Sequence, residues 1–93
     1  MHMGYARLLL KLINIRSLKE KRSHVKRLIN DLRKKFNVSV IESGKNDSKA
    51  YMEIAFSIVA RSKGELDSLI ERVENFIEYD CGYMIVDEEK EAW

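Results

Sequence analysis

At 93 residues and 45% hydrophobic, the chain can build one modest core but not two, so a single domain covering residues 1–93 is expected. Its net charge of +2 conceals a polarised molecule: residues 1–49 hold thirteen Lys/Arg against four Asp/Glu (+9), and residues 50–93 four against eleven (−7), which points to an anionic partner for the first half or to attraction between the halves. No run approaches the ~18 apolar residues of a membrane span; Cys81 stands alone and only His2 and His24 accompany it, so disulfide, metal and cofactor chemistry find no ligand spacing.

Residues 5–13 alternate, with Ala6, Leu8, Leu10 and Leu12 on one face and Tyr5, Arg7, Leu9, Lys11 and Ile13 on the other. This is strand periodicity, not the apolar block of a signal peptide, and a soluble cytoplasmic protein is expected. Ser17 and Glu20 then have capping-box spacing, and Leu18, Val25, Leu28, Ile29, Leu32 and Phe36 recur on one helical face, predicting a helix over 18–35. Residues 37–43 (NVSVIES) are rich in β-branched side chains, 44–48 (GKNDS) are turn chemistry, and 50–60 (AYMEIAFSIVA) form a second apolar stretch, together a hairpin. Ser62 and Glu65 repeat the capping box before Leu66, Leu69, Ile70, Val73, Phe76 and Ile77, a second amphipathic helix with Gly82 as its stop. Residues 83–89 (YMIVDEE) read as a fourth strand running into an acidic tail, and Trp93 as a free end.

The order βαββαβ predicts an α+β, ferredoxin-like fold: a four-stranded antiparallel sheet with strands one and three central and both helices on one face. If Ile54, Phe56 and Ile58 meet the helices, then Tyr51, Glu53, Ala55, Ser57 and Val59 join Tyr5, Leu9 and Ile13 on the open face. Leu9, Ile13, Ala55 and Val59 are therefore candidates for a homodimer contact.

Positive charge is the other feature. Lys19, Arg22, Lys26 and Arg33 lie along one flank of the first helix, with Asn30 near the row. In this topology the helix start and the hairpin tip share one end of the sheet, which brings Arg16 and Lys19 towards Lys45 and Lys49. Lys21 falls close to the apolar face and is expected to pack its stem and carry its ammonium to that end of the sheet. Cations at a helix N-terminus run against the helix dipole, an arrangement that suits an anion-binding end. A solvated face is the alternative, with Glu20 paired to His24 and Asp31 to Lys35, or the acidic end of the chain reaching Arg33 to Lys35.

Other chemistries have less support. Lys49, Tyr51, Ile54 and Phe56 echo the third strand of ferredoxin-like RNA-recognition domains, but Glu53 stands where a stacking aromatic is needed. Arg16 occupies a loop comparable to that of small phosphate-ester and acyl-phosphate hydrolases, without their glycine-rich loop. Neither Cys81 nor His24 has a catalytic partner nearby in sequence, and a non-catalytic protein is expected.

RSLKEKR at 16–22 followed by FNVSVIE at 36–42, with Gly4 near the start and an acid-rich end, resembles the YlxP-like family of small bacterial proteins. The resemblance implies the ferredoxin-like fold and makes Arg16, Ser17, Lys19, Glu20, Lys21 and Arg22 motif positions. Genes of that family often neighbour translation-initiation and ribosome-maturation genes, which implies an RNA or ribosomal partner. Many members carry a tryptophan in the hairpin where this chain has Lys49, which favours an electrostatic role for the hairpin here. The expectation is an RNA- or ribosome-associated protein whose Arg16, Lys19, Lys21, Arg22, Lys26, Arg33, Lys45 and Lys49 contact phosphates, with a homodimeric interaction module using the open sheet face as the alternative.

Overall fold

The computed structural model describes all residues from Met1 to Trp93. Its elements are β1 (His2–Lys11), α1 (Leu18–Lys35), β2 (Ser39–Gly44), β3 (Tyr51–Ala60), α2 (Lys63–Asn75), a π-helical turn (Phe76–Asp80) and β4 (Met84–Ala92). The strands form one antiparallel sheet in the order β2-β3-β1-β4, so β1 and β3 are central as expected, and β2 and β4 are the edges. This is the ferredoxin-like α+β fold.

The core lies between the sheet and the helices. Ala6, Leu8 and Leu10 of β1, with Leu12 just beyond it, lie beside Met52, Ile54, Phe56, Ile58 and Ala60 of β3 on one face of the sheet, all buried. Val25, Leu28 and Leu32 descend onto them from α1, and Leu66, Ile70, Val73 and Ile77 from the second helix and its π turn. Each such side chain contributes roughly 1.5–3 kcal/mol on leaving water. Both helices begin as the capping-box spacing predicts: the Glu20 N–H donates to Ser17 Oγ at 3.0 Å, and the Glu65 N–H to Ser62 Oγ at 3.1 Å.

The boundaries depart from expectation at the two ends of the chain and agree at the stop of the second helix. β1 starts at His2, three residues early, because it pairs with the far end of β3 (His2 opposite Ala60). The second helix stops at Gly82 as expected, its last turn being a π turn in which the Cys81 N–H bonds Phe76 O at 3.0 Å before Gly82 adopts φ +79°. β4 holds Asp87, Glu88 and Glu89 as expected but does not give way to a tail: it continues through Glu91 and pairs with β1 as far as Ala92 opposite Gly4. Trp93 is likewise held, exchanging backbone hydrogen bonds with Met3 at 2.7 and 2.8 Å and meeting Tyr5 edge to face.

Candidate nucleic-acid interface

The start of α1 is where the chain brings basic residues together, and the cap decides which of them are free. Glu20 turns its carboxylate back to accept from the Arg16 N–H at 3.1 Å, so the single acid among them serves the backbone. Lys21 occupies the same stripe as Val25, Leu28 and Leu32, and the helix puts it into the core with no solvent exposure. Its ammonium donates to the carbonyl of Lys45 and stands 3.4 Å from Glu42 Oε2. The expectation that Lys21 contacts phosphate is therefore corrected. Its stem packs as expected, but the hairpin consumes the charge.

Lys45 itself sits at φ +57°, a left-handed conformation that costs a non-glycine residue roughly 1–2 kcal/mol. The Lys21 bond to its carbonyl holds it there. Helix start and hairpin tip are thus joined by a buried buckle, which gives the surface around them a fixed shape.

Around the buckle the remaining cations are exposed. Arg16 and Lys19 stand at the head of α1, Arg22 and Lys26 follow on its flank, Lys45 and Lys49 come from the hairpin, and none of the six makes an ion pair. Arg33, two turns beyond Lys26, donates from Nη2 to Val40 O at 3.1 Å and also has no carboxylate partner. The local pairs that would have neutralised the helix do not form. His24 Nδ1 instead shares a 2.8 Å hydrogen bond with the Tyr83 hydroxyl, half-buried, and Lys35 lies 5.3 Å over the Phe76 ring. The acidic run cannot reach Arg33 to Lys35, because it is tied into the opposite edge strand.

Between α1 and β2 runs an open groove of about 450 Å³. Its helix wall presents Arg22, Lys26, Asn30 and Arg33, its floor Val25, Ile29 and Val40, and its strand wall Ile41 and Glu42. Sequence reasoning found the cationic flank but not the groove, which exists only because β2 is an edge.

The open sheet face is divided by a polar hub. Arg7 meets Glu89 at 2.6 Å and Glu53 at 3.8 Å, and Tyr5 donates to Glu89 at 2.8 Å. The Tyr5 hydrogen bond and the Arg7 charge hold the Glu89 carboxyl below its ordinary value. Leu9 and Ala55 flank this hub, while Val59 (61% exposed) lies opposite Met3 and Ile13 (67% exposed) lies beyond the end of the strand. At ~3.3 Å per residue the last two are more than about 25 Å apart, so the four expected dimer residues are not one patch.

No group of three or more His, Cys, Asp or Glu is placed to hold a metal, and no helix is long and apolar enough to cross a membrane. Burial, followed by Asp31 and Asp80, pushes the Cys81 thiol up, which depletes the nucleophilic thiolate.

Residues 3–90 match the model of a family described as "Protein of unknown function (DUF503)". A curated relative, the uncharacterized protein YlxP of Bacillus subtilis (strain 168), is 36% identical over 62 residues, which cover 67% of each chain. The resemblance carried by RSLKEKR and FNVSVIE is thereby borne out. Among solved structures, the de novo designed protein Foldit4 aligns with a TM-score of 0.49 at 17% identity, covering 98% of this chain and 96% of its own. The Arabidopsis thaliana protein At3g17210 aligns at 0.49 and 15%, covering 98% and 92%. Likenesses of that order carry no functional argument.

Proposed function

The chain belongs to the DUF503 family, and because that family's description assigns no activity, we propose from the site itself that it is a non-catalytic RNA-binding protein. It holds phosphates of structured RNA, on or near the ribosome, with Arg16, Lys19, Arg22, Lys26, Arg33, Lys45 and Lys49. The observation that carries this reading is that Arg22, Lys26 and Arg33 line one groove, Arg16 and Lys19 stand exposed at the head of the same helix, and none of the seven forms an ion pair with a carboxylate. Unpaired cations fixed by a rigid scaffold release condensed counterions from a polyanion without first breaking ion pairs of their own. The helix start adds its dipole and free N–H groups.

Binding to a structured RNA and to ribosomal particles across a salt series tests the proposal. Four to six phosphate contacts give a slope of log K against log salt of roughly −3 to −5, and Arg22→Glu with Lys26→Glu reduces its magnitude by about 2 while circular dichroism stays unchanged. Absence of binding at low salt would refute it.

A further inference from the structure

We propose that the groove between α1 and β2 takes one unpaired nucleotide of the RNA, its base lying over Ile29 and against the Arg33 guanidinium, its flanking phosphates on Arg22 and Lys26. The inference rests on the RNA reading and adds to it a ligand conformation.

The dimensions fit. A volume of about 450 Å³ lies within the ~300–1,000 Å³ of small-molecule sites and far exceeds what a packing defect leaves. At 1.5 Å per residue, Arg22 to Arg33 spreads the cations over ~16 Å of helix, enough to hold the chain on both sides of an inserted base. The floor is apolar and half-open, which suits a flat ring, and Asn30 on the rim brings an amide that both donates and accepts.

Two further details select the occupant. First, Glu42 on the strand wall would repel phosphate if it were free. Its carboxylate is instead 3.4 Å from the buried Lys21 ammonium and accepts from Asn46 Nδ2 at 3.4 Å, so the groove's net potential remains cationic.

Second, an exposed edge strand beside a basic helix would also attract an acidic peptide that adds a strand. Here Arg33 Nη2 already donates to the carbonyl of Val40, the second residue of the six-residue edge strand. An added strand finds that acceptor taken and a guanidinium in its path, the kind of edge protection that prevents strand addition. The same bond fixes the guanidinium, and unstacked RNA bases stack on such planes. A regular duplex keeps its bases stacked inside and meets only the rim.

The test uses two fluorescently labelled RNA hairpins, identical except for a single bulged 2-aminopurine. Fluorescence anisotropy is expected to show the bulged hairpin bound about tenfold more tightly, a difference of about 1.4 kcal/mol, with 2-aminopurine emission changing on binding. Arg33→Lys keeps the charge but loses the plane, so the tenfold preference for the bulged hairpin disappears. Ile29→Ala weakens the preference in the same direction.

Equal affinity for both hairpins, or a preference that survives Arg33→Lys, overturns the nucleotide site and leaves the RNA function standing. Binding of neither hairpin overturns both. Displacement of the bulged hairpin by an equimolar acidic decapeptide overturns the nucleotide site in favour of a protein partner.

Discussion

Replacing Lys21 by Met separates the buried buckle from the exposed ridge. The methionine keeps most of the stem's volume and removes the ammonium, leaving the Lys45 carbonyl with only the Ser48 N–H and the Glu42 carboxylate with only the Asn46 amide. Breaking a fully buried pair costs roughly 3–5 kcal/mol. Glu42 retains 22% side-chain exposure and Lys45 lies on an exposed turn, so water recovers part of that loss. The expected cost is about 2 kcal/mol. For a domain of this size that lowers Tm by roughly 8–16 °C. Adding Glu42→Gln to Lys21→Met costs less than the two single changes summed, because the uncompensated carboxylate disappears; the difference should be about 1 kcal/mol in a double-mutant cycle. RNA affinity measured well below the lowered Tm should stay within about twofold of wild type, since the ammonium never reaches the surface. Thermal unfolding by circular dichroism and anisotropy on the same samples decide the matter. A variant with unchanged Tm that loses affinity as Arg22→Ala does would show that Lys21 faces the ligand and that the burial argument is wrong.

Lys21 also shows where the sequence stops being legible. Its angle on the helix could be read from spacing alone, since 21, 25, 28 and 32 form one stripe. The end of the sheet that its ammonium reaches was readable too, but not the groups it meets there, because they are supplied 21 and 24 residues later by a hairpin whose docking is a tertiary event. Helix boundaries were readable because Ser17/Glu20 and Ser62/Glu65 are local signals, and the open and covered faces of β1 and β3 followed from parity. β4 was only half visible. Asp87, Glu88, Glu89 and Glu91 have poor strand propensity and no apolar alternation. They are nonetheless a strand, because β1 offers a free edge and each face has cations in reach: Arg7 for Glu89 on the open side, Lys90 for Glu74 and Glu88 on the helix side. The groove was invisible for a related reason, since a sequence marks the basic flank of a helix but not which strand it overhangs.

Two further predictions concern strain and protons. Lys45→Gly relieves the left-handed backbone while preserving the carbonyl that Lys21 bonds. Set against the greater freedom of glycine in the unfolded chain, the net gain is about 0.5–1 kcal/mol, read as a Tm rise of a few degrees by circular dichroism, with the magnitude of the RNA salt slope falling by about 1. The second rests on Glu74 of α2, which accepts from Lys90 Nζ at 3.0 Å. Burial first, and then a hydrogen bond shared with Glu88, push its carboxyl up to about 7. Between the ordinary glutamate value of 4.5 and that figure, the folded protein keeps a proton that the unfolded chain has lost. Folding therefore takes up a proton, and stability falls as pH rises through this window. Glu88, held below its ordinary value by the same hydrogen bond, has the opposite sign, its contribution being lost as pH falls below about 4.5. Because Glu74 is only partly buried, solvent screening reduces the loss between pH 5 and 8 to on the order of 1 kcal/mol. Tm measured across that range should decline for the wild type and flatten in Glu74→Gln, which carries the neutral hydrogen-bonding form at every pH. An equal decline in both proteins would assign the proton to another group and remove Glu74 as the cause.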